Sequence, residues 1–444
     1  MSEEPSNQSF PARTGAKLTS LIWRALTGYG RFKYRYLLPL YRLLHLLPNQ
    51  RKADGTMKPS GTLRGAQALV SVLNRPMYLD QLRAVTARIA ESRGAVIFLP
   101  SVGWNIVNTQ RTNHLAREFA RQGYVAIYDS SNSYDDVSGF KEVASGVFLF
   151  RGSDDVLPEI ADPLLWTLTY NFDRRDSYPA SARTVYDWID DLEVFHFDRS
   201  FLERNHKRAL KEATVVTSVA ARLHAQALNV RPDALYLPNA VEYDHFARAC
   251  DLPANDPDLD SKWLGDKPIA GYFGAMAEWF DYDLLEEAAR LRDDWNFLLI
   301  GPMYDNSLRE RGRALLKRPN VRWIGSRDYQ QLPAYLRLFD AAMIPFVIND
   351  ITLATSPLKL FEYFAGAKPV LTTPMPECQM FPEVLIVRTA EEFAAGLDVT
   401  NTRGREVRFQ ERLRELAREN SWTTRVELVT RHLDAITTEI TPSG

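Results

Sequence analysis

The stretch PIAGYFGAMAEWFDYDLLEEAARLRDDWNFLLIGP, residues 268–302, sets the architecture. An apolar run closes on Gly274, a helical segment follows from about 281 to 292, and a second apolar run, 296–302, closes on Gly301 and Pro302. Short, uniformly apolar runs bounded by Gly and Pro predict strands buried on both faces, and helix-period spacing between them predicts the crossover. Strand, helix, strand at this spacing demands a parallel sheet.

The rhythm continues towards the C-terminus. A helix near 306–317, VRWIG (321–325), a helix at 330–338, AAMIPF (341–346), a helix at 357–366, PVLTT (369–373), LIVR (385–388) and an amphipathic helical tail over roughly 404–438 follow in turn. It also runs towards the N-terminus. There GAVIFLP (94–100), a helix at 114–123 with Gly123 as its C-cap, YVAIYD (124–129), GVFLF (146–150), LLWTLTY (164–170), TVYDWIDD (184–191), a basic helix near 200–211, TVVTS (214–218), a helix at 219–228 and ALYLPNA (234–240) alternate in the same way. Between the two runs lies an acidic segment with two prolines, 251–266. The expected division is therefore a basic arm with a helical extension (1–92), an N-terminal Rossmann-like domain (93–250), a hinge (251–266), a C-terminal Rossmann-like domain (267–403) and C-terminal helices (404–444). Two doubly wound α/β halves that face each other form a cleft, with ligands at the carboxyl ends of the strands.

Composition narrows the function. Of 444 residues, 45% are hydrophobic and 25% charged, the balance of a folded globular chain. The two cysteines, Cys250 and Cys378, form no CxxC pair, which excludes a disulfide scaffold and the common Cys-based zinc and redox motifs and favours a reducing compartment. The net charge of −2 hides an uneven distribution: Arg13 to Lys52 holds nine Lys/Arg and no Asp or Glu, and the remainder holds 45 basic against 56 acidic residues. A body at net −11 argues against nucleic acid as partner. The opening MSEEPSNQSF is acidic and polar, unlike a secretory leader, and no stretch is long and apolar enough to span a bilayer. The arm, with YLLPLYRLLHLLP at 36–48, suits a peripheral contact with an anionic membrane or a Leu stripe packed on the body, and prolines 39 and 48 interrupt either. The expected location is cytoplasmic, with the inner face of the cytoplasmic membrane as the surface for such a contact.

The chemistry concentrates in DITLATSPLKLFEYFAGAKPVLTTP, residues 350–374. Ser356 before Pro357 is an N-cap and N1 pattern. A helix start offers free N–H groups and a positive dipole end to phosphate. Lys359 in the first turn opposes that dipole unless an anion is near. Glu362 lies one turn further on, and a carboxylate is the usual reader of a ribose diol. The plain alternative is an amphipathic helix with a Lys–Glu pair at i,i+3.

SPLKLFEYFAGAKPV resembles the donor-binding helix of retaining GT-B glycosyltransferases of the family-four and family-one type, which carry an E-x7-E signature. Further segments agree in order. QRTNHLAREFARQGYVAIY (110–128) resembles the family's first helix and second strand, TVYDWIDDL (184–192) its VYDxxDDL strand end, LPNAVEYDHF (237–246) the close of the N-terminal domain, and GYFGAMAEWFDYDLLEEAA (271–289) the start of the C-terminal one. The resemblance covers about 94–430 and is nearest to enzymes of bacterial surface polysaccharides such as teichuronic acid, exopolysaccharide or lipopolysaccharide. It implies transfer from a nucleoside-diphosphate sugar to a glycan or lipid-linked acceptor, with retention, without a metal or other cofactor.

It also implies roles. Glu362 matches the second Glu of E-x7-E, which binds the ribose, and Ser356, Pro357, Leu358 and Lys359 match the diphosphate-holding helix start. The first Glu falls at Ala354, and the usual Arg/Lys clamp falls at Ala275 and Phe280, so all three are departures. Gly274 and Arg327 join the donor set, with Gly103 on the opposite wall permitting close backbone approach. Gln110, Arg111 and His196 are acceptor candidates, with Arg111 facing a phosphate or a surface carboxylate such as Glu118, and His196 substrate or a structural partner. Asp190 and Asp191 stand where many members carry His-Asp. They can hold a hydroxyl, act as general base or cap the next helix, and a metal reading is the weaker one. The departures keep two alternatives open: a catalytically weak scaffold or glycan-binding module, and a sugar-nucleotide epimerase.

Overall fold

The computed structural model describes residues 61–106, 109–131, 133, 135–195, 197–248, 258–259, 261–304 and 312–440. The basic arm, half of the 251–266 segment (251–257 and 260) and His196 lie outside the described residues. The described residues group into two compact units. One takes 61–105, Ala116–Tyr186 and Phe195–Thr214, and the other takes Ile106–Leu115, Asp187–Val194 and 215–440.

The first unit opens with the helix Gly61–Ala90. Its strands are β1 (Ala95–Phe98), β2 (Val125–Asp129), β3 (Gly139–Ala144), β4 (Val147–Arg151), β5 (Leu164–Thr167) and β6 (Arg183–Trp188), whose last two residues belong to the other unit. They lie in the order β3-β4-β2-β1-β5-β6. All neighbours pair in parallel except β3, which makes an antiparallel hairpin with β4 through Gly146 at φ +75°. That edge strand departs from the expected all-parallel sheet. Its sequence GFKEVA is polar and largely solvent-facing, so it lacks the apolar run that marks a central strand.

In the second unit β7 (Val215–Ser218) and β8 (Leu235–Tyr236) pair in parallel. A six-stranded, all-parallel sheet follows: β9 (Ile269–Phe273), β10 (Asn296–Ile300), β11 (Val321–Trp323), β12 (Ala341–Ile344), β13 (Val370–Thr372) and β14 (Leu385–Ile386), in the order β11-β10-β9-β12-β13-β14. The chain winds one way from β9 through β11 and the other way from β12 onward. The break between β9 and β12 is the topological switch point, where neighbouring crossovers leave the sheet on opposite faces and open a crevice. The core between this sheet and its helices is dense in aromatics, with Trp295, Phe297, Tyr272 and Tyr363 almost wholly buried. The tail folds as Ala390–Gly404, Val407–Glu419 and Trp422–Ile440. It is held within this unit by a parallel bridge between Val241 and Ser421 and by Trp422 stacked on His114 at 5.2 Å. Among the described residues no helix is long and apolar enough to cross a membrane.

Candidate functional site

A cavity of ≈ 400 Å³ lies in the second unit at the switch point. Its floor comes from strand ends. β9 and β10 are followed by Gly274 (φ +141°) and Gly301 (φ +138°), both lining the cavity, and Gly325 (φ +71°) lies behind them two residues past β11, all in conformations that side-chain-bearing residues rarely adopt. The Gly274 N–H donates to the Ile300 carbonyl at 2.8 Å and the Gly301 N–H to the Gly325 carbonyl at 2.7 Å. A Cβ on Gly301 would lie 2.0 Å from the Gly274 carbonyl oxygen, so only glycine lets these strand ends close together. The result is bare main chain at the cavity floor.

The helix Leu358–Ala365 starts at the same crevice. Lys359 in its first turn lies across Gly274: a Cβ there would meet the Lys359 Cε at 2.9 Å. The ammonium sits 5.4 Å from the Tyr272 ring centre and 5.0 Å from that of Phe346, a cation held over two aromatic faces. Burial pushes Lys359 below the usual lysine range, with Glu362 acting against the shift, and burial pushes Glu362 above the usual carboxylate range, with Lys359 acting against it. Glu362 is 8% exposed and lines the cavity one turn from Lys359. Neither group makes a salt bridge among the described residues, so this is not the surface i,i+3 pair of an ordinary amphipathic helix.

The helix start differs from the sequence pattern. Pro357, extended at ψ 111°, occupies the N-cap position, and helix begins at Leu358. Ser356 lies one residue outside, and its hydroxyl accepts the Asn239 N–H at 3.2 Å while its carbonyl accepts from Asn239 Nδ2 at 2.7 Å. A serine captured by another loop cannot cap its own helix. No side chain caps this end, although Ser356, Pro357 and Leu358 all line the cavity.

The other predicted residues separate. Gly274 and Gln110 line the cavity, with Gln110 exposed. Arg111 also lines it but is 5% exposed and makes a two-pronged pair with Asp187, at 2.8 and 3.0 Å. It further donates to the Leu237 and Pro238 carbonyls and to Asn239 Oδ1. Its guanidinium is thus committed to the protein, and the carboxylate it meets is the buried Asp187 rather than Glu118, which pairs with Arg121. Arg327 lines the cavity while donating to Asp258 at 2.6 Å and to the Tyr335 hydroxyl at 2.9 Å. Asp190 lines the cavity, half-buried, and its carboxyl is pushed up to about 7 by burial and then by the charge of Asp191. Asp191 instead accepts the Glu193 N–H at 3.2 Å in the 3-10 turn Leu192–Val194, while the helix that follows, Arg199–Glu212, is capped by Asp198. Gly103 lies in the loop after β1, in the first unit, and does not line this cavity.

The three departures have structural accounts. Ala354 is 1% exposed in a short 3-10 turn, and Phe280, 2% exposed, packs edge-on against Tyr272 at 5.0 Å. The Ala275 carbonyl accepts from the Tyr272 hydroxyl at 2.7 Å and from Trp279 Nε1 at 3.3 Å, closing the turn. Three cations line the cavity. Arg111 and Arg327 are held by carboxylates and Lys359 is not. Asn239 and Trp279 were missed as site residues, although LPNA and EWF signalled them as fold motifs. Nothing local in the sequence marks Asn239 as the bridge between Arg111 and Ser356.

Residues 267–399 match the family described as Glycosyl transferases group 1. Over 240 residues the chain is 28% identical to the putative teichuronic acid biosynthesis glycosyltransferase TuaH of Bacillus subtilis (strain 168), a match covering 51% of this chain and 58% of that protein. The chain therefore spans less than two thirds of that relative. Among solved structures, Anabaena Alr3699/HepE in complex with UDP-glucose superposes with a TM-score of 0.56 at 13% identity, covering 77% of this chain and 99% of that one. Sucrose-phosphate synthase from Thermosynechococcus elongatus gives 0.55 at 16% identity, covering 78% and 100%. At these identities the likeness is one of fold, and the fold is the two-sheet α/β GT-B arrangement.

Proposed function

We propose that the chain is a glycosyltransferase that moves a sugar from a nucleoside-diphosphate sugar to a glycan or lipid-linked acceptor in bacterial cell-surface polysaccharide biosynthesis. The observation that carries this reading is Lys359: a half-buried cation that makes no salt bridge among the described residues, laid over Gly274 where the ends of β9 and β10 expose main chain to the cavity. A diphosphate placed there meets this cation and the main-chain donors together. Glu362, one turn on, accepts the two ribose hydroxyls. The match of 267–399 to a glycosyltransferase family and the UDP-sugar bound by HepE support uridine as the first nucleoside to try.

In this reading the barrier is departure of the nucleoside diphosphate, with cationic character growing at the sugar. Lys359 and the uncapped N–H groups of its helix stabilise the negative charge that develops on the leaving oxygen. Asp190, with its carboxyl near neutrality, accepts a hydrogen bond from the attacking hydroxyl or takes its proton. Retention at the anomeric carbon and the contact of residues 13–52 with anionic membrane belong to the same proposal. The test is turnover: purified full chain with a panel of nucleotide sugars and extracted lipid-linked acceptor, read by release of nucleoside diphosphate. Release that requires Lys359 supports the reading, and the absence of release from every donor overturns it.

A further inference from the structure

The cavity of the second unit has a wall to which the donor reading gives no task. It forms where the segments that follow β9 and β12 pair across the switch point. Phe280 bridges Phe346 in the antiparallel sense, and the Val347 N–H donates to the Trp279 carbonyl at 2.8 Å. The loop then runs through Ile351, Thr352 and Thr355 to the start of the helix Leu358–Ala365. Ala275, Trp279, Phe346, Ile351, Thr352 and Thr355 all line the cavity.

This wall offers carbon. The Thr352 hydroxyl gives its proton to the Val347 carbonyl at 2.6 Å, and the Thr355 hydroxyl gives its own to the Ile351 carbonyl at 2.8 Å. Trp279 Nε1 donates to the Ala275 carbonyl at 3.3 Å. Ala275, Phe346 and Ile351 bring only apolar side chains. Among these six residues no side-chain donor is left over and none carries a charge. A sugar hydroxyl buried here gives up water and finds no side-chain acceptor or donor of full strength, whereas a methyl group gains apolar contact.

The place of the wall decides which part of a donor meets it. The Phe346 ring centre lies 5.0 Å from the Lys359 ammonium, so the wall begins beside the cation. Glu362 sits one turn into the helix, and the wall loop precedes the first turn. A donor with its diphosphate at Lys359 and its ribose at Glu362 therefore turns its sugar towards the wall. We infer that the donor sugar carries a methyl group, as a 6-deoxyhexose or an N-acetylhexosamine does, and that Trp279 and Ile351 select for it. The sugar class presupposes the glycosyltransferase reading and narrows it.

The test titrates the full chain calorimetrically with matched donors: UDP-glucose against UDP-6-deoxyglucose, UDP-glucose against UDP-N-acetylglucosamine, and GDP-mannose against GDP-6-deoxymannose, with UDP and GDP alone in parallel. In at least one pair the methyl-bearing donor binds about tenfold or more tightly than its hexose partner, and the pair that responds tells a deoxy methyl from an acetamido methyl. Ile351→Thr and Ile351→Val leave side chains of the same size that differ by a hydroxyl. The valine variant keeps the preference, and the threonine variant narrows it by about threefold or more. Nucleotide binding with no preference in any pair overturns the inference and leaves the transferase reading standing. A preference equal in the two variants overturns the assignment to this wall. No binding of any nucleotide or sugar nucleotide defeats the transferase reading and the inference together.

Discussion

The two sheets present their strand ends differently. In the second unit β9 and β10 run into Gly274 and Gly301, which bare main chain to the cavity, and of its three lining cations Lys359 is the one without a salt bridge among the described residues. In the first unit β2 ends in a carboxylate, Asp129, and the 3-10 turn Phe172–Ser177 brings the cation Arg174 to the small pocket that Asp129 lines. Bare backbone with such a cation as Lys359 suits a compact, multiply charged anion that must approach closely. The two units thus end their strands in different chemistry, main chain in one and a carboxylate in the other.

That contrast can be broken at several points. Arg111 tests whether a cation in the second cavity is ligand-binding or structural. With Asp187 wholly buried opposite it, Arg111→Met strands a charge, and stability falls by about 3–5 kcal/mol, measured by urea denaturation. Unchanged stability with lost donor affinity would return Arg111 to the ligand. Lys359→Ala removes the cation expected to meet the leaving group. Turnover falls roughly 10²–10³-fold, read by nucleoside-diphosphate release, with little change in the melting temperature. Glu362→Gln keeps shape and removes charge, and the donor dissociation constant rises about tenfold or more, read by calorimetric titration.

The smallest effect concerns pH. The Asp190 carboxyl, raised to about 7 by burial and then by Asp191, holds its proton below that pH and loses it above. A step that uses the carboxylate therefore rises as pH passes through about 7, and Asp190→Asn flattens that limb of the rate profile. The stability sign is opposite: the folded state binds this proton more tightly than the unfolded chain, so stability falls as pH climbs from the ordinary Asp range towards 7. A rising limb that survives in Asp190→Asn assigns it to another group.

The sequence made the central strands readable because each is a short apolar run, as in IAGYF (269–273) and NFLLI (296–300). It hid β3, where half the residues face solvent, and it mistook Ser356 for a cap because the hydroxyl's partner, Asn239, lies 117 residues away. The carboxylate that Arg111 meets was hidden for the same reason: Asp187 is 76 residues distant, next to last in β6. Lys359 and Glu362 were legible because both lie on one turn of one helix, where spacing alone fixes proximity. Side chains that meet only through tertiary pairing leave no local pattern.

The central claim is that a nucleotide diphosphate lies on the glycine-ended strands under Lys359. Titration of UDP and UDP-glucose into wild type, Lys359→Ala and Glu362→Ala by calorimetry tests it most directly. Saturable binding to the wild type, weakened at least about tenfold in each variant, is the predicted result. Affinity unchanged in both variants contradicts it.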